Sequence, residues 1–146
     1  MPVNIPVMPA SFIQNLDQYT FPEIALHLAK AMIGDEIPEH DLATIIQKAI
    51  NFPAPIVQLE EHTTVLELFH GPSLAFKDFG ARFMAQTMSY FNRGEEQELT
   101  ILVATSGDTG GAVAAGFYQT PGIRVVILYP SGKVSPLQEK QLTTLG

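Results

Sequence analysis

The sequence has no cysteine and no tryptophan, and only 16% of its 146 residues are charged. Without cysteine, disulfides, thiolate chemistry and cysteine-based metal sites are excluded. Cations are scarce as well: 8 Lys and Arg stand against 15 Asp and Glu, a net charge of -7. Phosphate backbones are gripped by clustered cations, so nucleic acid is not an expected partner. No apolar run approaches the ~18–20 residues that a membrane span needs. The opening Met1-Pro2-Val3-Asn4-Ile5-Pro6 carries no basic segment, which argues against a secretory signal and for a cytoplasmic protein. What is plentiful is apolar. Hydrophobic residues make up 46% of the chain, which suits a folded core and argues against disorder. This length supports one domain or one and a half.

The pattern changes near residues 52 to 56. Pro2, Pro6 and Pro9 make the opening extended. Thr20-Phe21-Pro22-Glu23 has the form of a capping box, and Ile24, Leu28 and Met32 form one face behind it. Gly34 is placed to end that helix. Leu42, Ile45, Ile46, Ala49 and Ile50 repeat the helical period, so residues 1–64 are expected to be a mainly helical domain. Val65 to Phe69 reads as a strand, followed by the turn His70-Gly71-Pro72-Ser73. Phe79, Phe83, Met84, Met88 and Phe91 fit one helical stripe. Leu99 to Ala104 and Val125 to Tyr129 read as strands covered on both faces, with an Ala-rich helix from Gly110 to Tyr118 between them. Ser135-Pro136-Leu137-Gln138 opens a last helix with Ser as N-cap, Pro at the first helical position and Gln at the third. Strand, helix, strand, helix is a parallel βαβ pattern, so residues 65–146 are expected to begin a parallel α/β domain. Two parallel strands make a poor sheet alone, and an incomplete domain with exposed apolar surface and a tendency to self-associate is the expectation.

Of five lysines, Lys77 alone is flanked by phenylalanines, in Ser73-Leu74-Ala75-Phe76-Lys77-Asp78-Phe79. Partial burial and a helix N-terminus both disfavour an ammonium, and a reactive amine is what Schiff-base chemistry uses. The plainer alternative is a surface lysine lying along the phenylalanines and paired with Asp78. Thr105-Ser106-Gly107-Asp108-Thr109-Gly110-Gly111 follows a strand and opens a helix, a place where backbone amides meet an anion. It is neither a Walker A loop nor a dinucleotide fingerprint, and a simple helix cap at Asp108 or Thr109 is the alternative. Pro130-Ser131-Gly132-Lys133 with Ser135 is a third anion candidate, again at the top of a strand. The four histidines are scattered without metal-ligand spacing; His27 reads as structural and His70 as close to the Lys77 cleft.

These segments resemble a known family. Leu66 to Asp78 is similar to the cofactor-lysine segment of threonine synthases, Ala104 to Gly110 to their glycine-rich loop, and Val126 to Lys140 to a third block. Gly34-Asp35-Glu36-Ile37-Pro38 also matches the helical leader of the bacterial and fungal branch. The resemblance implies a pyridoxal-phosphate enzyme of the tryptophan-synthase-β fold type, a three-layer αβα architecture. It implies a carbon–oxygen lyase acting on a phosphate, converting O-phosphohomoserine and water to threonine and phosphate. Carried over, Lys77 holds the cofactor as a Schiff base and then shuttles protons, and the cofactor is the electron sink. Ser106, Gly107, Thr109 and Gly110 cradle the substrate carboxylate. Asp108 stands where many relatives of the fold type have Asn beside the cofactor's ring oxygen. Lys133 and Ser135 are assigned to the substrate phosphate.

Ser73 departs from the Thr expected in the lysine block, though it keeps the hydroxyl. The family's chains run several times longer, so the resemblance implies an N-terminal fragment that has the lysine, lacks the loop for the cofactor phosphate, and is inactive alone. Two other readings stay open. One is a related pyridoxal-phosphate phospholyase or serine/threonine dehydratase; the other is a short, non-catalytic interaction module.

Overall fold

The computed structural model describes residues 5–145, so Pro2 of the expected extended opening and Gly146 lie outside the described residues. The chain divides into two compact units, Met1–Asn51 and Phe52–Gly146.

The first unit is helical: α1 (Ala10–Gln14), a 3-10 turn at Leu16–Gln18, α2 (Phe21–Ile33) and α3 (Glu39–Ala49). The stretch after Pro9 is therefore not extended throughout, because the Pro9 carbonyl accepts from the amides of Phe12 and Ile13 and starts a turn of helix. At α2 the expected capping residues meet: the Glu23 carboxylate accepts from the Thr20 amide and the Thr20 hydroxyl, both at 2.7 Å. The bond from the Thr20 backbone, then that from its hydroxyl, holds Glu23 below its ordinary carboxylate range. Gly34 ends α2 with φ 69, a left-handed conformation that glycine adopts without steric cost. Lys30 bonds Glu39 and so joins the end of α2 to the start of α3. Leu42, Ile45, Ile46 and Ala49 of α3 are buried with Ile37, as their helical spacing requires. The apolar face of α2 stays open, with Leu28 and Met32 exposed. His27 stacks with Phe12 and Tyr19 at ring distances of 4.9 and 5.1 Å, a structural place.

The second unit begins with a β-hairpin that the sequence reading did not contain. β1 (Ile56–Glu60) pairs antiparallel with β2 (Thr63–Leu66), so strand occupies residues assigned to a helical domain ending at 64. The turn between them is short and polar, Glu61-His62, and it draws the strand candidate at Val65–Phe69 back toward its start. Next come α4 (Lys77–Phe91), β3 (Leu99–Ala104), α5 (Asp108–Phe117), β4 (Ile123–Leu128) and α6 (Pro136–Thr143). β3 and β4 run parallel in continuous register from Leu99↔Ile123 to Ala104↔Leu128, with α5 as the connection. The unit is mixed α/β, with one antiparallel and one parallel sheet of two strands each among the described residues.

Two expectations about packing change. β3 and β4 are covered on one face only: Ile101, Val103 and Val125 pack on the core, whereas Leu102 and Leu128 are 65% and 53% exposed. A two-stranded sheet with its helices on one side leaves alternate residues uncovered. On α4 the buried side is not the aromatic stripe but Asp78, Ala81 and Ala85, with Met88 beside them. Small residues let α4 and α5 approach so closely that a Cβ on Gly116 would stand 3.1 Å from the Ala81 backbone. Phe79 packs instead against Phe52, with ring centroids 4.6 Å apart.

Candidate active site

Lys77 is the first residue of α4, and the turn before it is fixed from behind. The Asp78 carboxylate, 0% exposed, accepts from the Ser73 amide at 2.9 Å and the Ser73 hydroxyl at 2.6 Å. Ser73 in place of Thr keeps that hydroxyl bond. Gly71 lies against the same carboxylate, where any Cβ would overlap it. Leu74 takes φ 59 in this turn, a left-handed conformation that costs an L-residue about 1 kcal/mol. The pairing of Lys77 with Asp78 therefore does not occur. Asp78 is spent on the turn, and the Lys77 ammonium points to Asp108.

Asp108 is the first residue of α5, where a carboxylate is favoured by the helix dipole. Its Oδ2 lies 3.9 Å from Lys77 Nζ, which also sits 4.9 Å from the centre of the Phe76 ring. Lys77 is partly covered, with 33% of its side chain exposed, and Asp108 is open at 57%.

The loop that carries Asp108 is organised by Thr105. Its hydroxyl accepts from the amides of Gly107 at 3.1 Å and Gly110 at 2.9 Å. Those are two of the donors that a helix start leaves without an intrahelical partner. The amides of Asp108 and Thr109 are the ones left for a ligand. Gly107 has φ 154, within the range that glycine tolerates. The residues missed by sequence reasoning are Thr105 and Gln138. A hydroxyl residue two places before a glycine is a turn-forming signal that would have pointed to Thr105. Gln138 was visible only as a helix cap, yet its Nε2 donates to Asp108 Oδ1 at 2.7 Å.

A cavity of about 290 Å³ lies between these groups, lined by Lys77, Ser106, Gly107, Asp108, Thr109 and Gln138 among others. Beside it is an apolar cavity of about 530 Å³ that shares Lys77 and Thr109 and is walled by Phe76, Phe79, Met84 and Val113. A third cavity, of about 310 Å³ behind β4, contains no amine and no carboxylate in its lining. Of the sequence-predicted residues, Lys77, Ser106, Gly107, Asp108 and Thr109 come together. Gly110 is buried behind the loop with its amide on Thr105. Lys133 and Ser135 lie on the turn before α6 and line neither cavity at Lys77. Ser135 is engaged as the α6 N-cap, its hydroxyl accepting from the Gln138 amide at 3.3 Å. His70 does not join the cleft either, since its ring pairs with Glu67 at 2.6 Å and stacks on Phe69.

The donor set fits pyridoxal phosphate: a single amine for its carbonyl carbon, apolar space beside that amine for a flat ring, and hydroxyls with free helix-start amides for an anionic ligand. Residues 1–50 match the family described as threonine synthase N terminus, nearly the extent of the first compact unit. The chain is 50% identical to a threonine synthase of Serratia marcescens over 145 residues, 99% of this chain and 33% of that protein. It is similar in structure to the crystal structure of threonine synthase from Escherichia coli, with a TM-score of 0.88 and 48% identity over 99% of this chain and 33% of that one. A pyridoxal-phosphate-bound threonine synthase from Brucella melitensis gives a TM-score of 0.89 and 38% identity over 97% of this chain and 32% of that one. The chain thus spans about a third of the length of the relatives it matches. Within that third the agreement in sequence and in fold is continuous, and what the chain is similar to is the N-terminal third of threonine synthases.

Proposed function

We propose that the chain forms the N-terminal part of an enzyme that converts O-phosphohomoserine and water to L-threonine and phosphate. The observation that carries this reading is the placement of one partly covered amine, Lys77, against the glycine-bearing loop at the end of a parallel strand. Pyridoxal phosphate, when bound, supplies an electron sink for the carbons next to the substrate's amine. Lys77 Nζ would hold the cofactor, and the same amine, when free, would carry protons to and from substrate carbon. Asp108 is assigned to a place beside the cofactor's ring oxygen, which an acid must either share a proton with or repel. Ser106, Gly107, Thr109 and Gly110 form the carboxylate cradle. Within it the hydroxyls of Ser106 and Thr109 and the amides of Asp108 and Thr109 are the contacts, while Gly107 and Gly110 give the loop its shape. Lys133 and Ser135 are assigned to the substrate phosphate, although neither lines the cavities at Lys77.

In this reading residues 1–51 are a helical N-terminal part, and the three-layer αβα cofactor domain begins at 52. The boundary moves from 64 because the hairpin belongs to the second unit. Further strands would pair along the outer edges of β3 and β4, and their open apolar face is the surface through which the chain self-associates. A cytoplasmic location is part of this reading. Among the described residues, no helix is long and apolar enough to cross a membrane.

The test supplies O-phosphohomoserine and pyridoxal phosphate to the 146 residues alone and to the same chain joined to the remaining length of the Escherichia coli relative. The expected result is no turnover alone, with threonine and phosphate released by the joined protein. Release of a keto acid would instead indicate a dehydratase or phospholyase. Binding without any turnover in the joined protein would indicate an interaction module.

A further inference from the structure

We propose that Gln138 is a positioning residue for Asp108, doing at the site what its place in a helix cap does not require. This rests on the assignment of Lys77 and Asp108 above. The side-chain amide of Gln138 is used at both ends. Its Oε1 accepts from the Ser135 amide at 3.2 Å, completing the cap of α6, and its Nε2 donates to Asp108 Oδ1 at 2.7 Å. With Oδ1 taken, the other oxygen, Oδ2, is the one that faces Lys77 Nζ at 3.9 Å. Three segments distant in sequence thereby fix one carboxylate: the start of α4, the start of α5 and the start of α6.

The loop is shaped for this contact. A Cβ on Gly107 would stand 2.5 Å from Gln138 Nε2 and 2.7 Å from its Cδ, so only glycine lets the amide lie over the loop. The next turn of α6 adds a second link, Gln141 Nε2 donating to the Ser73 carbonyl at 3.4 Å, in the turn that leads to Lys77. Glu139, the neighbouring carboxylate on α6, faces away, with Oε1 accepting from the Tyr129 hydroxyl at 3.3 Å. The helix cap alone would be served as well by Glu, which is equally an acceptor at this position. A donor to Asp108 is what Glu lacks, and this is the chemical reason for an amide here.

The test compares Gln138→Glu, Glu139→Gln and the exchange pair Gln138→Glu with Asp108→Asn. Two readouts are used: amide hydrogen exchange at Gly107 and Gly110, and the borohydride-reduced pyridoxal-phosphate adduct at Lys77. Gln138→Glu keeps the acceptor for the cap and sets two carboxylates against each other. Exchange at both glycines is expected to quicken about tenfold, the equivalent of losing one hydrogen bond to a charged group, and the Lys77 adduct to fall in parallel. Glu139→Gln changes the neighbouring carboxylate of the same helix turn, which faces Tyr129, and is expected to leave both readouts in place. The exchange pair restores a donor facing an acceptor, so glycine protection is expected to return. Unchanged exchange in Gln138→Glu, or no recovery in the pair, overturns the proposal and leaves Gln138 as a cap. If the unsubstituted protein forms its adduct at another lysine, the cofactor assignment fails, and exchange at Gly107 and Gly110 still decides whether Gln138 holds the loop.

Discussion

Lys77 and Asp108 each open a helix, and they face one another with Nζ and Oδ2 3.9 Å apart. The pair is too open to be a structural bond of consequence, since such ion pairs contribute only about 0.2–1 kcal/mol. Asp108→Asn is accordingly expected to change unfolding free energy by less than about 1 kcal/mol in urea titration. A loss of several kcal/mol would show that the pair holds the fold rather than prepares a site.

Asp78 is the opposite case. It is fully buried and receives both polar groups of Ser73. Asp78→Ala leaves a partly buried amide and hydroxyl without their acceptor and is expected to cost about 1–3 kcal/mol. It is also expected to release the turn at 71–74, visible as faster amide exchange there. Retained stability would contradict the role given to this carboxylate.

Thr87, on α4, has a buried hydroxyl without a hydrogen-bond partner. Thr87→Val replaces it with a methyl group of similar size and is expected to raise stability by about 0.5–1 kcal/mol. Thermal unfolding reads this directly, and a lowered melting temperature would mean that the hydroxyl is satisfied in solution.

Glu23 links stability to pH. Its carboxyl is held below the ordinary value of 4.5 by the Thr20 amide and hydroxyl. A carboxylate whose folded-state value is depressed stabilises the fold fully above its unfolded value, and the effect disappears as pH falls through the folded one. The α2 start is therefore expected to loosen on acidification below about 4.5, and Glu23→Gln to remove that part of the acid dependence. Carbon-detected NMR titration of Glu23 checks the direction. A midpoint above 4.5 would be the wrong sign.

Much of this fold was legible because its signals are local. The α2 and α6 caps, the α3 stripe and the parallel β3–α5–β4 order all follow from residues near one another in sequence. What escaped was set by tertiary contact. The aromatic residues of α4 have the helical period, but the close approach of α5 selects Ala81 and Ala85 for burial. The hairpin at Ile56–Leu66 alternates too weakly to announce itself, with nearly all of its residues exposed. At the site, Lys77 and the loop at 106–109 were readable, from flanking phenylalanines and from glycines after a strand. The pairing with Asp78 was the plainer alternative for Lys77, and the structure gives that place to Asp108, because a sequence shows adjacency and not direction. Gln138 was hidden for a similar reason: its second hydrogen bond crosses from α6 to α5.

The most direct measurement is borohydride reduction of the protein with pyridoxal phosphate, followed by mass-spectrometric mapping of the modified lysine. Selective labelling of Lys77 over Lys30, Lys48, Lys133 and Lys140 is the predicted result, with loss of the adduct in Lys77→Ala. Equal labelling of all five, or preference for another lysine in the chain joined to the remaining length of a relative, would contradict the assignment of Lys77 as the cofactor's anchor.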